Sequence, residues 1–321
     1  MPGGAPANVA ACAARLGARS AFVGAVGEDL FGRLISEELS AAGVDTSGVV
    51  SRSHPAQTSI AFVELAEDGE RSFTFYRSSP AADELLSARD LRPESFSEAA
   101  FVCFGSIPLI SETSRSAVRE AVRLAGESGA GAVFDVNLRP DLWGSLDAAR
   151  EEIMPLIRVS RVVKMSEEEL EPLLGTGDPE AAAEAILGEG VSLALVSLGA
   201  RGAYFATSEN SGYVSAPKVD VADATGAGDA FLAATLESLI HHRIEGLDEH
   251  KLREAVERGT VAGAIACTAV GAMTAAPTSA ELEAHRRKSF SPPPLDRESG
   301  EPYDTSRIGE CNKESDWKGS G

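Results

Sequence analysis

The sequence predicts an α/β fold: three layers, α/β/α, with a mostly parallel central sheet and a small β lid beside it. Three observations point there. Apolar strand-like runs alternate with helical patterns for most of the chain, the rhythm of a sheet buried on both faces. The 321 residues, 43% of them apolar, suffice for one large core. Between about Gly48 and Asp83 the rhythm breaks into paired strands with little helix, which sets a flap apart from the main sheet.

In chain order, Ala7 to Leu16 reads as a helix ended by Gly17, and Ser20 to Val26 as a strand. Leu30 to Ala42 is helical, with Gly43 as its C-terminal stop. Thr58 to Leu65 and Arg71 to Tyr76 are strand-like, and Glu67-Asp68-Gly69 between them is a hairpin signal. Then come a strand (Ala100 to Phe104), a helix (Ser111 to Ser128), a strand (Gly131 to Asp135) and a helix (Leu146 to Ile157). Val159 to Lys164 (strand), Glu167 to Leu174 and Pro179 to Leu187 (helices) and Leu193 to Ser197 (strand) continue the pattern. Gly212 to Val221 reads as a strand and about Ala230 to Ile240 as a very apolar helix. The folded domain is expected over 1–288, with its lid at about 48–83. From Ser291-Pro292-Pro293-Pro294 onward the composition turns to Pro, Gly, Ser and charged residues, and 289–321 is expected to be a disordered tail.

Acidic residues outnumber basic ones 49 to 29, a formal charge of −20, which disfavours nucleic acid and anionic membrane as partners. A local phosphate site survives this if backbone dipoles or a cation supply positive potential. Cys12, Cys103, Cys267 and Cys311 are far apart and form no CxxC pair. His54, His241, His242, His250 and His285 form no ligand pattern. No apolar run approaches the ~18 residues of a membrane span. The N-terminus lacks a secretory pattern. A cytoplasmic protein is the expectation, or a plastid one if a transit peptide has been lost.

The sharpest feature is Asp223-Ala224-Thr225-Gly226-Ala227-Gly228-Asp229-Ala230-Phe231. Small residues at a turn into a helix let bare backbone N–H groups converge, and the helix dipole adds positive potential. Such a nest stabilises the charge on a transferring phosphoryl group. Asp229, in the first turn, is placed to take a proton from an attacking hydroxyl. Taken alone, such a run is more often a Gly-rich turn with a dipole-favouring Asp.

The run resembles the carboxyl-terminal signature of the PfkB, or ribokinase-like, carbohydrate kinases, D-[TA]-[TA]-G-A-G-D-x-F, and matches it through Phe231. Other stretches resemble the same family in order. Gly3-Gly4-Ala5-Pro6-Ala7-Asn8 is similar to the sugar-side glycine pair and its Asn. Gly24-Ala25-Val26-Gly27-Glu28-Asp29 with Phe31-Gly32 is similar to G-x-x-G-x-D-x-x-G. Phe73 to Arg77 with Ala82-Asp83, and Asp135-Val136-Asn137-Leu138-Arg139 with Trp143, resemble fructokinase stretches. Ser166-Glu167-Glu168-Glu169 resembles N-x-x-E, and equally reads as a helix capping box. Ser197-Leu198-Gly199-Ala200-Arg201-Gly202 resembles the nucleotide-side turn. Thr260 to Pro277, with Gly271, resembles the adenine wall and monovalent-cation region. The resemblance runs from about Pro2 to Ala284.

The resemblance implies a kinase moving the γ-phosphoryl of ATP to a sugar hydroxyl, fructose first, with Mg²⁺ and a K⁺ site. Asp229 would be the base, Gly226, Ala227 and Gly228 the anion hole, and Arg139 an assistant. Gly3, Gly4, Asn8, Phe75, Arg77 and Asn137 would face the sugar. Ser197, Gly199, Gly202, Thr225, Thr260 and Gly271 would face the nucleotide, and Glu169 would act on Mg²⁺ through water. It also implies a homodimer. Family members carry a strand, part of the lid and a sugar-binding Asp ahead of the glycine pair. Met1 stands two residues before that pair, so this first strand and part of the lid are expected to be missing. Two alternatives stay open: a catalytically impaired fructokinase-like binding or scaffold protein, and a kinase for another sugar or a nucleoside.

Overall fold

The computed structural model describes residues 1–65 and 71–290. The expected Glu67-Asp68-Gly69 turn and the expected disordered tail lie outside the described residues, except that a final helix continues through Phe290.

The chain opens with α1 (Ala5–Leu16), which Gly17 ends in the left-handed conformation at φ 105°. There follow β1 (Ala21–Gly27), α2 (Leu30–Ala41) and β2 (Asp45–Arg52). β1 and β2 pair in parallel as a separate two-stranded sheet. The sequence reading gave no strand at β2, whose run Asp-Thr-Ser-Gly is poor in strand formers. The flap strands β3 (Ile60–Leu65) and β4 (Arg71–Tyr76) pair antiparallel, as the sequence predicts.

The main sheet starts with β5 (Phe101–Gly105). After it come α3 (Glu112–Ser128), β6 (Gly131–Asp135), α4 (Leu146–Val159) and β7 (Val162–Ser166). Next are α5 (Glu167–Leu174), α6 (Pro179–Gly188), β8 (Leu193–Ser197), β9 (Ala203–Ala206) and β10 (Ser211–Val214). The helices α7 (Ala227–Leu239), α8 (Glu249–Ala266) and α9 (Ser279–Phe290) complete it. Strand order is β10-β9-β8-β7-β6-β5; β5 to β8 run parallel, β9 runs antiparallel to them, and β10 is antiparallel to β9 and so shares the direction of β5 to β8. The strand expected over Gly212 to Val221 is only the short β10, and residues 215–226 are irregular chain leading to α7. β9 is a further strand absent from the sequence reading.

Period-two alternation divides the core. Val133, Val162, Leu193 and Leu195 point to the layer holding α1, α7 and α8. Phe134, Val163, Met165, Ala194 and Val196 point to the layer of α4, α5 and α6. The three expected layers are thus present. Two glycines let α8 lie hard against α7. A Cβ on Gly259 would stand 2.2 Å from Thr235 Oγ1, and one on Gly263 would stand 3.0 Å from the Ala227 carbonyl. The Gly263 contact is with the first turn of α7, which carries the Gly-Ala-Gly-Asp motif.

Candidate active site

The site forms where β6, β7 and β8 end, at the carboxyl edge of the parallel strands, the usual crevice of an open α/β sheet. α7 begins at Ala227, with Gly226 as its N-cap at φ 81°. A Cβ on Gly226 would lie 2.7 Å from Ala272 Cβ and 2.9 Å from Ala272 Cα, so backbone conformation and space both require glycine. Asp223 shapes the approach: its Oδ1 accepts from Thr225 N at 2.9 Å and its Oδ2 from Gly271 N at 3.1 Å. The 271–272 segment therefore braces the turn.

The first N–H groups of a helix lack intrahelical acceptors. Ala227 N donates to Ala224 O at 3.2 Å within the turn. Thr225 Oγ1 is buried with no hydrogen-bond partner beside this turn. A glycine cradle with an orphaned hydroxyl suits phosphate oxygens.

Asp229 is the third residue of α7 and 8% exposed. Its Oδ2 accepts from Asn8 Nδ2 at 2.7 Å. Burial pushes Asp229 up to about 6, and the Asp135 carboxylate adds to this, against the pull of the Asn8 hydrogen bond, Lys164 and Arg139. A carboxylate so placed is a base poised near neutral pH. Asn8 N in turn donates to Gly4 O at 2.8 Å, and Gly4 caps α1 at φ 136°. A Cβ on Gly3 would stand 3.8 Å from Asn8 Oδ1, which is itself buried without a partner. Gly3, Gly4, Asn8 and Asp229 thus come together from opposite ends of the chain.

Asn137 follows β6 with φ 45°, a left-handed conformation that Asn tolerates better than most residues. Arg139 Nη1 donates to Leu138 O at 2.9 Å, and its charge is felt at Asp229. Glu169 Oε1 accepts from Leu138 N at 2.5 Å and Oε2 from Ser166 N at 2.7 Å. The capping box is present, and both oxygens are engaged by backbone. Only their remaining lone pairs are left for a magnesium-bound water. Trp143 is partly buried on the α4 side of the core.

In the flap, Arg77 ion-pairs with Asp83 and lies 3.5 Å from Glu84. Phe75 sits opposite Ala61 on β4. The motif Asp29 turns out to join the flap to the core. It accepts from Gly32 N at 2.8 Å, capping α2, and from Thr58 N at 2.8 Å and Thr58 Oγ1 at 2.9 Å. Ser197, Gly199 and Gly202 form the turn between β8 and β9, where a Cβ on Gly202 would collide with Val214 O at 1.9 Å. Thr260 lies mid-α8, 5% exposed, its hydroxyl donating to Glu257 O at 2.9 Å within its own helix.

A family model described as pfkB family carbohydrate kinase matches residues 1–279. The chain belongs to that family. It is 43% identical over 282 residues to Fructokinase-1 of Zea mays, covering 88% of this chain and 87% of that one. A crystal structure of fructokinase from Vibrio cholerae in a form with fructose, ADP and calcium ion bound is similar at a TM-score of 0.80 and 39% identity. That likeness covers 88% of this chain and 90% of the other. The aminoimidazole riboside kinase from Salmonella enterica, complexed with aminoimidazole riboside and an ATP analog, follows at a TM-score of 0.79 and 35% identity, covering 88% and 91%.

The sequence reading missed Lys164. It is 6% exposed on β7, and its Nζ lies 3.0 Å from Asp135 Oδ1. Its signal was a single cation inside the apolar run Val162-Val163-Lys164-Met165 of a strand buried on both faces.

Proposed function

We propose that this family member transfers the γ-phosphoryl group of ATP to a hydroxyl of fructose, giving fructose 6-phosphate. The observation that carries the reading is the buried Asp229 one residue past a glycine cradle at the start of α7. Asp229 accepts the hydroxyl proton as the oxygen attacks the phosphorus and the bond to ADP breaks. Gly226 and Gly228 N–H groups, with the α7 dipole behind them, hold the equatorial phosphate oxygens. Arg139 adds positive charge from the β6 side. Asn8 orients Asp229 and leaves its carbonyl oxygen for a sugar hydroxyl. Gly3, Gly4, Asn137, Phe75 and Arg77 complete the sugar side. Ser197, Gly199, Gly202, Thr225 and Gly271 line the nucleotide side.

Mg²⁺ on the triphosphate would neutralise phosphate charge, with Glu169 acting on it through water. A K⁺ requirement, a homodimer and a cytoplasmic setting belong to the same proposal. Among the described residues no helix is long and apolar enough to cross a membrane.

A second reading, a riboside kinase, is supported by the likeness to the Salmonella enterica enzyme. The test is coupled ADP release with ATP, Mg²⁺ and K⁺ against fructose, ribose, adenosine, aminoimidazole riboside and no acceptor. Fructose-dependent turnover, abolished in Asp229→Asn, is the expected result. Turnover on a riboside in preference to fructose favours the second reading. No acceptor-dependent turnover in the folded chain sinks both.

A further inference from the structure

Asp135, the last residue of β6, and Lys164, the middle residue of β7, are cross-strand partners in register. Alternation along those strands sends both side chains to the α7 side of the sheet, because Val133 and Val162 go there. Their side chains are 5% and 7% exposed. A Cβ on Gly228 would stand 3.0 Å from Lys164 Nζ, so the ammonium lies directly beneath the second residue of α7. Asp229 is the next residue.

A buried ion pair is weak evidence for stability, since an apolar pair of similar volume often does as well. This pair is also incompletely satisfied: Asp135 Oδ2 is buried with no partner. Its place under the motif turn suggests another role. Resting on the phosphotransfer reading above, we propose that Lys164, oriented by Asp135, is a positioning residue for the general base. Its ammonium keeps Asp229 ionised inside the closed core and makes the Gly226–Gly228 turn electropositive.

The charge count around Asp229 supports this. From β6 it meets Asp135, from β7 Lys164, from the loop after β6 Arg139, and from α1 the neutral Asn8. The thiols of Cys12 on α1 and Cys103 on β5 face the same group and are held protonated by burial. Glu169 adds a further carboxylate near Lys164. Burial alone would discharge the lysine; Asp135, Glu169 and Asp229 outweigh that and keep it charged. Lys164 is thus the cation shared by these carboxylates. Removing it leaves Asp229 facing the Asp135 carboxylate with Arg139 as the cation.

The test is the pH profile of kcat/KM, from pH 5 to 9, for the full chain carrying Lys164→Met, Lys164→Arg or Asp135→Asn. For Lys164→Met the acid limb moves up by about one pH unit or more, turnover at pH 7 falls at least about tenfold, and activity partly returns at pH 9. Asp135→Asn moves the limb down, because a like charge is gone. Lys164→Arg restores most of the profile. A merely structural pair would scale the profiles without moving their midpoints. Unmoved midpoints in folded Lys164→Met and Asp135→Asn overturn the inference.

The underlying reading fails separately, if Asp229→Asn retains turnover. Should the chain show no turnover, the ionisation of Asp229 is read by linkage instead. The pH at which wild type and Asp229→Asn diverge in melting temperature must rise in the Lys164→Met background. If it does not, the inference is overturned there too.

Discussion

Asn8 donates its side-chain amide to Asp229 Oδ2 at 2.7 Å across 221 positions of sequence. The bond ties the first helix of the chain to the helix that carries the proposed base. It fixes one oxygen of the carboxylate and leaves the other to meet a hydroxyl. It also favours the ionised form, since an amide N–H stabilises a carboxylate more than a carboxylic acid.

Asn8→Ala therefore lowers kcat/KM and moves its acid limb to higher pH, because Asp229 loses a bond that holds it ionised. The expected loss at neutral pH is about tenfold to a hundredfold, from one charge-assisted hydrogen bond of ~1.5–3 kcal/mol. Steady-state kinetics between pH 5 and 9 check this; an unmoved limb rejects it.

Asp229→Asn lowers kcat by roughly 10²–10⁴-fold, the usual contribution of a general base. Its effect on stability has the opposite sign. Asp229 is raised from 3.8 to about 6 in the folded state, so folding favours its protonated form. The folded state therefore bears no ionisation penalty below about pH 4 and the full penalty above about pH 6. The variant should gain up to about 3 kcal/mol over wild type at pH 8 and nothing at pH 4. Urea titrations at the two pH values measure the difference.

Gly226→Ala introduces a Cβ 2.9 Å from Ala272 Cα at a φ of 81°. The turn must shift or strain, at about 1–3 kcal/mol, and turnover falls because the phosphate-facing N–H groups move with it. Gly144→Ala is the control: nothing lies within 4 Å of its Cβ. Melting temperature and kcat, read together, should change only in the first variant.

Asn137 separates backbone from side chain. Asn137→Gly keeps φ 45° without strain, whereas Asn137→Ala adds about 1 kcal/mol of strain. If the side chain touches substrate, both variants lose activity and only the alanine loses stability as well. Full activity in Asn137→Gly shows that the position serves the backbone alone.

Glu169→Gln leaves one oxygen where two backbone N–H groups now bind, at 2.5 and 2.7 Å. We expect a loss of about 1–3 kcal/mol and a higher Mg²⁺ concentration for half-maximal rate. A Mg²⁺ titration at saturating ATP separates the two effects.

Much of the fold was legible because its signals are local. β6, α5 and β8 have the bounds read from apolar runs, caps and turn residues. β2 and β9 were not, since Asp-Thr-Ser-Gly and the four residues Ala203–Ala206 become strands through pairing that no local window shows. At the site, the motif located Asp229 and its turn. Lys164 escaped because its meaning lies in a register with Asp135 and a packing contact under Gly228, both set by tertiary structure. Glu169 carried two readings in sequence, and the structure places its two oxygens on backbone N–H groups.

The close seam between α7 and α8 divides the molecule into parts that evolution or design can treat differently. With Gly259 and Gly263 locking α8 against the helix of Asp229, the reacting end has little freedom to adapt to a new acceptor. Thr58 and Asp29 tie the start of the flap to the first turn of α2. Changes of sugar preference should therefore accumulate in the flap, and substitutions along the seam should alter rate for every acceptor alike.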